Sequence, residues 1–159
     1  MFTNTNTTSN LHKISIAPMM DCTDKHFRMI MRQITSKALL YTEMIVAQSL
    51  YFNDRKEKFL NFNEEEHPIS IQFGGEDPLF LKEAARMAKD WGYDEINFNV
   101  GCPSPRVSSG NFGASLMNSP YKVAKCIESL KNNSNLPITI KHRIGVDSND
   151  TFSSLNSFV

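Results

Sequence analysis

The chain has 159 residues, 40% hydrophobic and 21% charged, the balance of an ordinary globular protein with enough chain for one real core. Its 17 basic and 17 acidic side chains cancel to a formal net charge of +0, so no global field draws it toward nucleic acid or a membrane surface. Three cysteines without CxxC or Cys/His ligand spacing argue against a disulfide framework and a zinc site, and fit reduced thiols in a cytoplasmic protein.

Residues 1–12, opening MFTNTNTTSN, are polar and are expected to form a tail; no apolar run behind them is long enough for a signal peptide or membrane span. ISIAPMM (14–20) is the first strand candidate, followed by a helix from Asp24 to Ile34. ALLYTEMI (38–45) is the second, leading into a mixed, charged helical stretch. PISIQFGG (68–75) is the third. The helix after it is well marked: Asp77 as N-cap, Pro78 in the first turn, Leu81, Ala84, Ala88 and Trp91 at helical spacing, and Gly92 past the end. EINFNVGC (95–102) is the fourth strand, with a helix over about 120–131; PITIKHR (137–143) is the fifth, and a further helix begins near Asp150.

Strands alternating with helices imply βαβ units and a parallel sheet. Central strands of an open doubly wound sheet, covered on both faces, read as continuous apolar runs. These alternate instead. Ile69, Ile71 and Phe73 oppose Ser70 and Gln72; Ile96, Phe98 and Val100 oppose Asn97 and Asn99; Ile138 and Ile140 oppose Thr139, Lys141 and Arg143. A (β/α)8 barrel predicts such a pattern, with an apolar outer face under helices and an inner face that turns polar at the carboxyl ends of the strands. Gln72, Asn97, Asn99, Cys102, Lys141 and Arg143 are then expected around one mouth. A complete barrel needs roughly 250 residues. Residues 13–159 are therefore expected to supply the first five β/α units of an α/β TIM barrel, as the amino-terminal part of a larger protein or a truncated gene product.

APMMDCTDKHFR (17–28), ALLYTEMI, ISIQFGG, EINFNVGCPSPRV, GNFGASLM and ITIKHRIGVD occur in the order found in the flavin-dependent tRNA-dihydrouridine synthases, and the chain most resembles their A subgroup. The resemblance implies an FMN-binding (β/α)8 barrel, here without strands six to eight, and a carboxyl-terminal helical tRNA-binding domain, here absent. It also implies reduction of the uridine C5–C6 bond at tRNA positions 20 and 20a. NADPH reduces the flavin, hydride passes to C6, and a cysteine of the GCP loop, by position Cys102, protonates C5. A thiol with the ordinary pKa of roughly 8.5 is mostly protonated near neutrality and suits a general acid at carbon.

By the same resemblance Pro18, Met19 and Met20 meet the flavin ring, Gln72 hydrogen-bonds it, Lys141 stabilises its anionic edge, and Asn99 meets the uracil or the flavin. Arg106, with Lys25 and Arg28, is a candidate for phosphates. Each has a plainer alternative: a buried small hydrophobe for Cys102, core packing for 18–20, a loop partner for Gln72 and Asn99, and solvation for the basic residues. Cys22 and Cys126 are read as buried and inert; Cys22 stands where the family usually has tryptophan, and Ser115 where the A subgroup usually has cysteine. Two other readings compete: a different flavin barrel such as a dihydroorotate dehydrogenase, and a non-catalytic fragment.

Overall fold

The computed structural model describes residues 12–159; the expected tail lies outside them apart from His12. The elements run β1 (Ser15–Ile16), α1 (Lys25–Ile34), β2 (Leu39–Val46), α2 (Ala47–Phe52), α3 (Glu57–Leu60), β3 (Ile69–Gly74), α4 (Pro78–Asp90), β4 (Glu95–Val100), α5 (Pro105–Ser108), α6 (Pro120–Asn133), β5 (Ile138–His142) and α7 (Phe152–Phe158), with 3-10 turns at Glu64–Glu66 and Gly113–Asn118. All strand pairings are parallel, and the order is β1-β2-β3-β4-β5. A doubly wound sheet would reverse its order at a switch point. This unbroken order is that of a singly wound barrel, of which the five strands form a curled part.

The alternation in sequence becomes the layering. Ile69, Ile71, Phe73, Ile96 and Phe98 are fully buried beneath Leu81, Ala84, Ala85 and Ala88 of α4 and Val123, Cys126 and Leu130 of α6. Each fully buried large side chain contributes about 1.5–3 kcal/mol, so this outer layer is the main source of cohesion. The alanines of α4 let the helix sit close to the sheet. Asp77 caps α4 by accepting from the Leu79 N–H at 2.8 Å, and Gly92 (φ 86°) takes the left-handed turn after it. Asp24 caps α1 through the Phe27 N–H at 2.8 Å, and that bond holds its carboxyl below the ordinary range.

The amino-terminal side of the sheet is tied by two arginines of α1. Arg28, buried to 5% exposure, pairs with the fully buried Glu66 at 2.5 Å and donates to the Thr23 carbonyl at 2.8 Å. The other Glu66 oxygen accepts from the Asn63 N–H at 2.9 Å. Arg32 donates to the carbonyls of Thr35, Ala38, Glu66 and Pro68. Arg28 is thus a buried structural cation, and its candidacy for phosphate is withdrawn; Lys25, at the start of α1, is exposed.

Two further expectations change. The first strand stops at Ile16 because residues 19–23 close a turn: Cys22 and Thr23 donate their N–H groups to the Met19 carbonyl, the Thr23 hydroxyl accepts from the Met19 N–H at 3.0 Å, and Asp21 adopts φ 59° with its N–H held by Glu43 at 2.6 Å. Cys22 lies in that turn and is exposed rather than buried. In β2 the register slips between Tyr41 and Met44: Tyr41 lies opposite Ser70 and Met44 opposite Gln72, one residue more than on β3, so a bulge interrupts the alternation.

Candidate active site at the strand ends

The inner face of β3, β4 and β5 carries a continuous polar ladder. At its foot the Glu95 carboxylate receives the hydroxyls of Tyr41 (3.0 Å), Ser70 (3.0 Å) and Thr139 (2.8 Å). Burial, then the adjacent Glu95 charge, push the Tyr41 phenol far above its ordinary range, so it stays a donor. Higher up, Asn97 donates to the Thr139 hydroxyl at 2.8 Å, Gln72 donates to the Asn97 oxygen at 2.6 Å, and Asn99 donates to the Gln72 oxygen at 2.9 Å. The amides that look out of place in an apolar strand are each other's partners, and among the described residues no buried side-chain polar atom is left unsatisfied.

The ladder ends on the loop after β4. The Asn99 oxygen accepts from the N–H groups of Gly101 (3.1 Å) and Cys102 (3.0 Å). Arg143 donates to the Gly101 carbonyl at 2.7 Å, so that peptide is gripped at both ends. A side chain at Gly101 would press on the Lys141 carbonyl 3.2 Å away, so glycine lets the loop lie close against β5. Below the loop, Ala114 donates to the Cys102 carbonyl at 2.9 Å. The half-buried Cys102 thiol donates to the Ser104 hydroxyl at 3.6 Å, which in turn caps the short α5 by accepting from the Val107 N–H. Phe112 folds back over Gly74, where an added Cβ would come within 3.0 Å of the ring and 2.7 Å of the Met44 sulfur.

Gln72, Asn99 and Cys102 therefore belong to one connected unit, and Lys141, opposite Asn99 in register, shares its face. Lys141 is exposed, and its ammonium has no partner among the described residues. Met19 and Met20 are also exposed, at 42% and 55%, in the turn beyond β1 rather than in the strand, with Pro18 half-buried before them. The side chain of Arg106 lies outside the described residues. Cys126 is buried, donates to the Glu76 carbonyl at 3.4 Å, and has its thiol pushed up to about 11 by burial and then by Asp77 and Glu76. Ser115 donates to the Phe112 carbonyl at 2.9 Å, a bond made wholly within the loop.

Sequence reasoning missed four contributors. Glu95 and Tyr41 share the inward parity of Asn97 and Ser70, a signal that was present; Ser104 and Phe112 act through loop geometry that no periodicity reveals.

Parallel strands in sequential order, apolar outside and hydrogen-bonded inside, with a thiol loop at the carboxyl end of one strand, define part of a (β/α)8 barrel with its site at the customary rim. Residues 15–157 match the family model described as "Dihydrouridine synthase (Dus)", and the chain belongs to that family. It is 54% identical over 151 residues to a tRNA-dihydrouridine(20/20a) synthase of Synechocystis, covering 95% of this chain and 45% of that protein. It is 44% identical over 157 residues to one of Shewanella oneidensis (98% and 46%), and 47% identical over 147 residues to one of Vibrio parahaemolyticus (92% and 44%). The chain thus spans a little under half the length of these relatives. Family membership sets aside the dihydroorotate dehydrogenase reading. Among the described residues no helix is long and apolar enough to cross a membrane.

Proposed function

We propose that this polypeptide supplies the first five β/α units, including the proton-donating loop, of a cytoplasmic tRNA-dihydrouridine synthase that reduces uridine at positions 20 and 20a. Residues 13–159 are the flavin-binding part, FMN the cofactor, NADPH the reductant and tRNA the substrate. The observation that carries the reading is the Cys102 loop: a half-buried thiol at the mouth of an amide-lined strand, with its backbone N–H fixed by Asn99 and its S–H directed onto Ser104.

The polar groups suit a flavin. Lys141 offers an uncommitted cation on the open inner face, the kind of group that stabilises negative charge at the pyrimidine edge of the ring. Gln72, buried and bonded to Asn97 and Asn99, keeps one N–H and one lone pair, which this reading assigns to the flavin ring. Pro18, Met19 and Met20 flank the same rim with backbone and apolar surface. When bound, FMN supplies hydride to C6 of the uracil. The chain's own part is then proton delivery: Cys102 holds a proton on Sγ and gives it to C5, while Ser104 aims the S–H before transfer. Asn99, whose oxygen already accepts two loop N–H bonds, presents an N–H donor to a base carbonyl. Arg106, in the short α5 that follows the Cys102 loop, is assigned by this reading to substrate phosphates.

The test is to incubate the purified chain with FMN, remove the excess, record the flavin absorption that remains, and assay unmodified tRNA with NADPH. Retained flavin with dihydrouridine at 20 or 20a, and a fall of about 10²-fold or more in Cys102→Ala at equal flavin content, is the expected result. Unchanged reduction in Cys102→Ala, or no reduction by the flavin-loaded chain, overturns the reading.

A further inference from the structure

We infer that Glu95, at the foot of β4, is the positioning residue for the Cys102 loop, acting through a one-way chain of hydrogen bonds along the inner face of the sheet. Its importance for chemistry rests on the function proposed above; its geometry does not. The links run from the Gly101 and Cys102 N–H groups to Asn99, from Asn99 to Gln72, from Gln72 to Asn97, from Asn97 to Thr139, and from Thr139 to Glu95. Each link donates toward the carboxylate.

Both ends of this chain have a fixed sense. A peptide N–H can only donate, and an ionised carboxylate can only accept. Between them stand three carboxamides, each able to turn over, and one hydroxyl able to rotate. Turning any single amide brings donor against donor on one side and acceptor against acceptor on the other, so it loses at least two bonds at once, and three for Asn99. Three hydroxyls, from Tyr41, Ser70 and Thr139, converge on Glu95 Oε1, which is the terminal acceptor of the chain. Glu95 therefore reinforces, from the far end of the chain, the orientation of Asn99 that the two loop N–H groups require. With its oxygen toward the loop, Asn99 clamps both N–H groups beside the thiol and leaves the mouth only a donor. With the amide reversed, the clamp is lost and two N–H groups face an NH2.

Amide hydrogen exchange measured by NMR on the 159-residue chain tests this without flavin or tRNA. Thr139→Val, nearly isosteric, removes the link that both accepts from Asn97 and donates to Glu95; Glu95→Leu removes the terminal acceptor. Both should speed exchange at Gly101 and Cys102 by about tenfold, the equivalent of one lost hydrogen bond, while Ile71 and Phe98 stay within about twofold. Glu95→Gln keeps a carbonyl oxygen for the three hydroxyls and should restore slow exchange. Tyr41→Phe, which removes a donor outside the chain, should leave Gly101 and Cys102 as in the parent.

Wild-type exchange at Gly101 and Cys102 in either Thr139→Val or Glu95→Leu overturns the inference. An equal rise across β3 and β4 also overturns it, because that is lost stability and not lost orientation. Should Thr139→Val not fold, Glu95→Leu against Glu95→Gln decides. Failure of the tRNA assay with exchange as expected would sink the proposed reaction and leave the relay standing.

Discussion

Gly113 is the glycine at which the Cys102 loop is most sensitive to one added carbon. It adopts φ 69°, and a Cβ built there would lie 2.6 Å from the Cys102 carbonyl oxygen and run into Cγ1 of Val107. Gly113→Ala should therefore act in two ways. The left-handed conformation costs an L-residue about 1–2 kcal/mol. Moving the Cys102 carbonyl aside breaks its bond from the Ala114 N–H, which contributes about 1 kcal/mol. The total, about 2–3 kcal/mol, should lower a urea midpoint by roughly 1 M at the slope usual for a chain this size. Because the displaced carbonyl belongs to Cys102, the thiol should move too. Alkylation of Cys102, followed peptide by peptide with exposed Cys22 as internal standard, should accelerate relative to Cys22. An unchanged midpoint together with an unchanged Cys102 to Cys22 ratio would show that the turn does not hold the loop as argued.

Other outcomes follow from the buried groups. Glu66→Gln leaves Arg28 buried beside a neutral amide and should cost about 3 kcal/mol or more in chemical denaturation; a loss under about 1 kcal/mol would mean the pair is less desolvated than its geometry implies. Cys126 should resist alkylation near neutral pH while Cys22 reacts readily, and labelling of Cys126 at the Cys22 rate would contradict its burial. Its folded pKa, about 11 against an ordinary 9.0, means the folded chain keeps a proton that the unfolded chain releases. Stability tied to this thiol is therefore full below about pH 9 and falls as pH rises through about 11; Cys126→Ala should flatten that part of a midpoint-against-pH curve.

The strand alternation made the barrel and its polar interior readable because period-2 patterning survives wherever one face packs on helices. The Asn97 and Asn99 pair was legible for the same reason, as was the Asp77 cap, whose chemistry is local. What escaped reading depends on partners distant in sequence. Arg28 looks like a surface cation until Glu66, 38 residues on, is folded against it. Pro18, Met19 and Met20 look like strand until the Thr23 hydroxyl and Glu43 turn the chain. Cys22 belongs to the same turn, and exposure in a turn leaves no periodic trace. Phe112 can pack over the end of β3 because Gly74 leaves room for its ring.

The bulge in β2 has a consequence for how this strand can evolve. Had β2 kept strict alternation after Tyr41, Glu43 would stand opposite Gln72 and put a second acid among the amides. The extra residue gives that place to Met44 and frees Glu43 to hold the Asp21 N–H outside the ladder. A one-residue deletion between Tyr41 and Met44 would remove the bulge and leave Tyr41 opposite Ser70 and Met44 opposite Gln72. What such a deletion costs is the deleted residue's own bond: Glu43 holds the Asp21 N–H, and the Thr42 hydroxyl accepts from the Gln72 N–H at 3.1 Å. The extra residue is therefore kept in place by two bonds that neither strand pairing nor alternation requires, one to the first rim turn and one to the backbone of β3.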